Sequence, residues 1–405
     1  MNHIDLLARL AVENQNRIVL LVLDGVGDIR CADQPATALD RAEIPNLDAL
    51  ARASALGRIV PVSTGITPGS GPGHLSLFGY DPTDPEADIG RGVLEALGLG
   101  LKIGPDDLAA RGNFATVDAD GNLIDRRAGR IPTSECERLV EAIQADLSSF
   151  DGAEVEVVAG EEHRFVLILR GVGSSAEVDD TDPQKTGVPP LAPHPRTADA
   201  EPTATLLADI IARMNAMIAD EPKANTVLLR GVSQPPHLPQ FSDLYHLRAG
   251  AFAGYPLYRG VAGACGMEVV PCGKYFHEIV PTVRENWERF DFFFLHVKQT
   301  DKAGEDGNLK AKIEVLEQVD AVLPELLALE PSVLAITGDH STPAPLASHS
   351  WHPVPLLVHS PVCFRDDCQE FTEAAATQGH LGTFPARELM GLLLANAGRL
   401  AKFGA

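Results

Sequence analysis

From Arg17 to Leu23 the chain reads RIVLLVL, a continuous apolar run that stops at Asp24-Gly25. Without the alternation of a half-exposed strand, it predicts a strand covered on both faces, at the centre of a parallel sheet, with Asp24 at its carboxyl end. Comparable runs end at Gly171 (FVLILRG), Gly231 (TVLLRG), His296 (FDFFFLH) and Gly338 (SVLAITG), and another spans Pro355 to His359. Elsewhere the period changes. Leu309 to Leu329 sets Ile313, Leu316, Val319, Leu323, Leu326 and Leu327 on one helical stripe, with a kink expected at Pro324. Pro385 to Leu400 predicts another helix, with proline at its start. Strands alternating with helices predict an α/β fold, a mostly parallel sheet flanked by helices whose ligands gather outside the carboxyl ends of the strands.

The middle of the chain differs. Its apolar runs are shorter, and DPQKTGVPPLAPHP from Asp182 to Pro195 reads as loop, which predicts a smaller α+β domain inserted at 85–249 between two parts, 1–84 and 250–405, of one catalytic domain. A length of 405 residues accommodates two such cores.

Charge narrows the partners. With 33 basic against 56 acidic residues the net charge is -23, the wrong sign for nucleic acid or an anionic membrane. An anionic substrate would need local cations, and bound metals would supply them. No apolar run approaches the ~20 residues of a membrane span, and the N-terminus lacks a signal-peptide core. The six cysteines form no Cys-x-x-Cys pair, so a reduced, cytoplasmic protein is expected.

Four strand ends or following loops carry metal-ligating side chains: Asp24, then Asp301 and Glu305 after Lys298, then Asp339-His340, and His349 in SHSWHPVP. Each alone reads more readily as a turn or helix cap. Their convergence on one sheet edge predicts a two-metal phosphoryl-transfer site, and carboxylate with imidazole suits Mn, Zn or Mg. Ser70 lies in the Gly/Pro-rich STGITPGSGPGHLSLFGYDP, ahead of an apolar stretch from Leu75 that could open a helix, a setting that fits a phosphate-accepting nucleophile.

These segments, LDGVGD (Leu23–Asp28), TPGSGPGHLSLFGYDP (Thr67–Pro82), RGNFATVDADGNLIDRRAGRI (Arg111–Ile131), HVKQTDKAGEDGN (His296–Asn308) and GDHSTPAPLASHSWHPVP (Gly338–Pro355), resemble the archaeal-type cofactor-independent phosphoglycerate mutases of the alkaline phosphatase superfamily. The resemblance implies an alkaline-phosphatase-like fold. It also implies one metal on Asp24, Ser70, Asp339 and His340 and a second on Asp301 and His349. Manganese is the expected ion, with magnesium or zinc as alternatives, and neither a nucleotide nor 2,3-bisphosphoglycerate is needed. Three positions depart from the family pattern. Glu305 stands where histidine is usual, Gly71 where aspartate usually follows the nucleophile, and Gln184 where the inserted domain often has histidine. Glu305 lies four residues after Asp301 and is expected to complete the second metal site, the alternative being Asp306 or water.

The inserted segment offers Arg111, Arg126, Arg127 and Arg130, whose guanidinium forks suit the carboxylate and phosphate of a phosphoglycerate. Lys298 either stabilises the transferring phosphoryl group or pairs with a carboxylate. His74, His296 and His352 are expected to orient ligands rather than react. The resulting expectation is interconversion of 3- and 2-phosphoglycerate through a phosphoserine at Ser70. The rival is a related phosphotransferase, homoserine-kinase-like, or a phosphatase acting on another small metabolite. A metal-binding relic without activity is opposed by the intact ligand set.

Overall fold

The computed structural model describes residues 3–87, 89–150, 153–173 and 175–404. In chain order, β1 (Ile18–Leu23) and β2 (Ala55–Val60) come first; β3 (Leu108–Val117), β4 (Leu123–Asp125), β5 (Ser149–Phe150), β6 (Ala153–Ala159), β7 (Arg164–Arg170) and β8 (Thr226–Ser233) follow. The remainder are β9 (Ala249–Ala253), β10 (Glu268–Val269), β11 (Phe292–Val297), β12 (Val333–Thr337), β13 (Val354–His359) and β14 (Gly382–Pro385). Two compact units result, one of Met1–Asp88 with His237–Ala405, the other of Ile89–Pro236.

The larger unit holds a sheet in the order β10-β9-β11-β1-β12-β13-β2-β14. All six residues of β1 are buried, and its neighbours β11 and β12 both run parallel to it, as its uninterrupted apolar run predicts. β13 is antiparallel to both of its neighbours, so its start lies at the edge where β1, β11 and β12 end. This one reversal brings the loop containing His349 to the edge that also bears Asp24, Asp301 and Asp339.

The Leu309–Leu327 helix buries Leu316, Val319, Leu323 and Leu326, the expected stripe. Pro324 lies within it, and the Asp320 carbonyl that a proline cannot serve accepts Asn46 Nδ2 at 3.1 Å instead. The last helix is shorter than its sequence pattern predicts. Pro385 ends β14, a 3-10 turn covers Ala386–Glu388, and the helix itself runs Leu389–Asn396 and stops before Gly398, whose φ is +64°.

The second unit is an antiparallel sheet, β4-β3-β7-β6-β5, with β8 also on β3. The Thr133–Leu147 and Glu201–Ile218 helices complete its core, where Leu139, Ile143, Leu207 and Ile210 join Phe114, Phe165 and Leu167. β8 does not stop at Gly231 as the sequence suggests. That glycine has φ +59° and lies where the β3–β8 register shifts, so the strand passes through it to Ser233 as a bulge. The expected boundary at 249 also moves to 236. Phe241, Leu244 and Tyr245 are buried in the larger unit, with the Tyr245 hydroxyl on Phe78 O (3.0 Å) and the Phe241 ring 4.8 Å from Phe292.

Candidate active site and metal centre

Three adjacent parallel strands, β11, β1 and β12, end on the residues that matter. Asp24 follows β1, and the Gly25 that turns the chain there has φ +60°. A Cβ on Gly25 would stand 2.4 Å from Thr342 Oγ1 and 2.7 Å from Asp301 Oδ1, so only glycine lets the three loops meet. Asp339 returns the contact, accepting Gly25 N–H on Oδ1 at 3.2 Å. The Ser70–Leu77 helix begins at Ser70 itself rather than at Leu75, with Gly69 as its N-cap.

Asp24, Asp301, Asp339 and His340 are fully buried. His340 Nε2 lies 3.3 Å from Asp24 Oδ1, 3.2 Å from Asp339 Oδ2 and 3.3 Å from Ser70 Oγ. Its tautomer follows from the other nitrogen. Thr342 Oγ1 gives its only proton to Asp301 Oδ1 (2.5 Å), so at 3.0 Å it accepts one from His340 Nδ1, and Nε2 is left with a lone pair. Asp24 Oδ1 and Asp339 Oδ2 are themselves buried with no hydrogen-bond partner. Three lone pairs thus converge beside Ser70 in a buried site, an arrangement that a divalent cation fits and that is costly without one.

A second group forms around His349. Its Nδ1 donates to Pro68 O at 3.0 Å, so Nε2 presents a lone pair, 3.5 Å from Asp301 Oδ1 and 3.6 Å from Glu305 Oε1. Asp301 and Glu305 share the Gln299–Glu305 helix at i,i+4 spacing, but Glu305 is half-exposed, and the tight cluster is Asp301, His340 and His349. His340 lies within reach of both groups, its ring stacked on that of His349 with centroids 3.7 Å apart, whereas the expectation from sequence places it with Asp24, Ser70 and Asp339 alone.

Lys298 bridges the groups, with Nζ 2.5 Å from Asp301 Oδ2 and 3.2 Å from Asp24 Oδ2. Burial opposes its charge, yet the two carboxylates overcome that and raise its pKa. The carboxylate-pairing role is the one the geometry displays. Burial likewise works against ionised Asp24, but His296, Lys298 and His340 outweigh it and hold its carboxyl well below the usual range. His296 Nε2 meets Asp24 Oδ2 at 3.1 Å, and His74 donates from Nδ1 to Ser70 O at 2.8 Å while lying 3.2 Å from Asp339 Oδ2. Both histidines thus contact residues of the first cluster, the placement expected of groups that orient rather than react. His352 stands apart, with Nδ1 on Ser350 Oγ at 3.0 Å.

Sequence reasoning missed Thr342, which fixes the His340 tautomer, and Tyr258. The Tyr258 ring stacks 3.7 Å from His296 and lies under Lys298, 5.4 Å from Nζ, and Asp24 and Ser70 both act on its hydroxyl. Thr342 adjoins the Asp339-His340 motif and was open to inspection. Nothing in GYPLYRG singles out Tyr258.

The arginines of the second unit separate into two kinds. Arg126 is committed to Asp182 by a fork of two hydrogen bonds, 2.7 and 2.6 Å long, with Gln184 N–H on the same carboxylate at 2.8 Å. Arg130 is exposed, with φ +50°. Arg111, on β3, is held less firmly: Glu95 is 4.0 Å away, and its Nε is buried with no hydrogen-bond partner. Burial first, then Arg164, Arg91 and Arg230, lower its pKa. Beside it His163 is pushed down to about 4 by burial and by the charges of Arg164, Arg111 and Arg127. The positive charges acting on Arg111 and His163 thus come from Arg127, Arg164, Arg91 and Arg230, of which Arg230 is itself paired with Asp180 at 3.4 Å; the last three were not singled out from sequence.

A family profile described as 2,3-bisphosphoglycerate-independent phosphoglycerate mutase matches residues 51–224. A Thermus thermophilus protein named as a probable enzyme of that kind is 48% identical over 408 aligned residues, covering 100% of both chains. One from Thermotoga neapolitana, named likewise, is 49% identical over 399 residues and 98% of each chain. Among solved structures, a Pyrococcus horikoshii protein superposes with a TM-score of 0.82 at 29% identity, over 97% of this chain and 100% of its own. A cofactor-independent phosphoglycerate mutase from Thermoplasma acidophilum does so with a TM-score of 0.72 at 29% identity, over 94% and 100%. Related along its whole length at nearly half of its positions, the chain belongs to the 2,3-bisphosphoglycerate-independent phosphoglycerate mutase family.

Proposed function

We propose that the protein is an isomerase that interconverts 3-phosphoglycerate and 2-phosphoglycerate through a phosphoserine at Ser70, with no nucleotide and no bisphosphoglycerate. The observation that carries this is the meeting of Asp24 Oδ1, Asp339 Oδ2 and the His340 Nε2 lone pair beside Ser70 Oγ. Family membership makes phosphoglycerate the substrate of choice.

Asp24, Ser70, Asp339 and His340 would hold one divalent ion, and Asp301, His349 and Glu305, with His340 at their border, a second; when bound, these ions supply positive charge for the phosphoryl oxygens and lower the serine pKa. Carboxylate at 305 in place of imidazole hardens the set toward manganese or magnesium over zinc. Ser70 Oγ loses its proton and attacks phosphorus, the ester bond to the 3-oxygen of glycerate breaks, and that oxygen takes up a proton. Glycerate then turns, and its 2-hydroxyl oxygen attacks phosphoserine, giving up its proton as Ser70 Oγ regains one. Arg111, with Arg127 and Arg164, provides guanidinium forks for the glycerate carboxylate during the exchange. Arg126 instead holds the Asp182 loop. Six free cysteines fit a reducing cytoplasm, and among the described residues no helix is long and apolar enough to cross a membrane.

Phosphorus NMR of metal-replete protein with 3-phosphoglycerate, without bisphosphoglycerate, tests the proposal. The expected outcome is growth of 2-phosphoglycerate with no matching release of phosphate. Release of phosphate alone identifies a phosphatase, and no change without an added acceptor or donor identifies a different phosphotransferase.

A further inference from the structure

Lys312 lies on the buried stripe of the Leu309–Leu327 helix, fully enclosed, and the chemistry above does not use it. Its Nζ donates to Gly25 O at 2.9 Å, Gly27 O at 3.1 Å and Thr342 O at 2.9 Å. An ammonium has three donors and no acceptor, so all of its capacity is spent on three backbone carbonyls. Two of these belong to the turn that follows Asp24, and the third belongs to the turn that follows Asp339-His340.

The same two turns are also joined by Gly25 N–H on Asp339 Oδ1 at 3.2 Å and by backbone. Thr342 N–H faces both Gly25 O (3.2 Å) and Gly27 O (3.1 Å), and Ser341 bridges to Val26 and Gly27. Carbonyl dipoles from both turns therefore point at one buried spot, where they would repel one another without a donor between them. Burial outweighs the opposing charges of Asp28, Glu373, Asp301 and Asp24 and lowers the lysine pKa from its ordinary value, so it is the three carbonyl acceptors that fit a proton-rich Nζ at this spot.

We propose that Lys312 is a positioning residue for the metal centre: its ammonium clamps the Gly25–Gly27 turn to Thr342 and so sets the spacing of Asp24 from Asp339 and His340. The proposal rests on the reading of those residues as metal ligands. Lys312 touches none of their side chains, so it acts through the backbone that carries them. Partners of this kind, one layer behind the ligands, commonly control metal affinity by 10–100-fold.

The test is calorimetric titration of metal-free protein with Mn2+, together with steady-state kinetics at saturating Mn2+. Lys312→Met should bind Mn2+ about 10–100-fold more weakly and lose kcat, while the KM for 3-phosphoglycerate stays within about threefold. If Lys312→Met does not fold, Lys312→Gln, whose amide keeps two donors, is judged by the same criteria. A folded variant whose Mn2+ affinity and kcat both stay within threefold of the parent overturns the proposal, whatever its loss in melting temperature, because the lysine would then only anchor a helix. Asp339→Asn is the control on the underlying reading. If it too binds Mn2+ like the parent, the ligand assignment fails rather than the role of Lys312.

Discussion

At the carboxyl edge of the large sheet the buried polar atoms left without partners include the carboxylate acceptors Asp24 Oδ1 and Asp339 Oδ2, whereas in the second unit they include the guanidinium donors Arg111 Nε and Arg164 Nε. The first are lone pairs of the kind a cation would satisfy and the second N–H groups of the kind an anion would satisfy, although Asn113 Oδ1 in the second unit is an acceptor in the same condition. Each is unfavourable for the isolated chain, since buried polar groups normally find partners. The overall charge of -23 makes the division of labour intelligible. An anionic substrate of the kind proposed would approach against the field of the whole protein, so attraction would have to be built locally, by guanidinium groups such as Arg111 and by any ions held at Asp24 and Asp339.

If the acceptor-rich region is the reacting one, Ser70→Ala should produce the largest effect. Turnover should fall by at least about 10^4-fold, as expected for removal of a nucleophile, with the fold and bound metal retained. Steady-state assay and metal analysis on one preparation check both halves, and residual turnover above that level would move the nucleophile elsewhere. Next in size is the donor-rich region. Arg111→Ala should raise the KM for 3-phosphoglycerate by roughly 10–100-fold, in line with loss of a charge-assisted contact of about 1.5–3 kcal/mol, and leave Mn2+ stoichiometry alone. An unchanged KM would break the comparison, because the unpaired donors would then serve no substrate.

Arg126→Ala separates structural arginines from substrate-facing ones. It should leave KM nearly unchanged but lower stability at neutral pH by about 1–3 kcal/mol, since it removes two of the donors to a buried carboxylate and leaves Gln184 N–H. Burial raises the Asp182 pKa, but hydrogen bonds from Arg126 and Gln184 N–H outweigh it and hold the folded value below the ordinary one. The stability this supplies is present above the unfolded pKa of about 3.9 and is lost as pH falls through the folded value, so the gap between parent and mutant in urea unfolding should close in acid. A gap that persists unchanged to pH 2–3 would point to packing rather than the ion pair. Smallest is the effect of Glu305. Glu305→His should shift the preferred ion toward zinc with activity changed only a few-fold, and Glu305→Ala should deplete one metal equivalent. Two full equivalents in Glu305→Ala, measured by elemental analysis, would remove it from the ligand set.

The parts legible in the sequence are those where burial or chemistry leaves a local mark. β1, β11 and β12 are enclosed on both faces, so their runs are uninterrupted, and the acidic residues that end or follow them stand out by contrast. The parts that were not legible depend on contacts distant in sequence. Arg126 resembles a substrate arginine until Asp182, 56 residues away, is found in its fork. His340 lies in both candidate clusters because β13 reverses and carries His349 onto its ring, which no spacing reveals. Lys312 is an intermediate case. It falls four residues before Leu316 on the apolar stripe, with Asp320 four residues after, and polar residues on a buried face invite the question of what they bond. Asp320 answers it by accepting Leu47 N–H at 2.7 Å, and Lys312 by its three carbonyls.

The most direct test of the central claim is mass spectrometry of enzyme quenched in acid during turnover of 3-phosphoglycerate, with Ser70→Ala treated in parallel. The account predicts phosphate on the peptide containing Ser70 in the parent and none in the variant. Turnover with no phosphorylated Ser70 peptide, or with phosphate on another residue in both proteins, would contradict it.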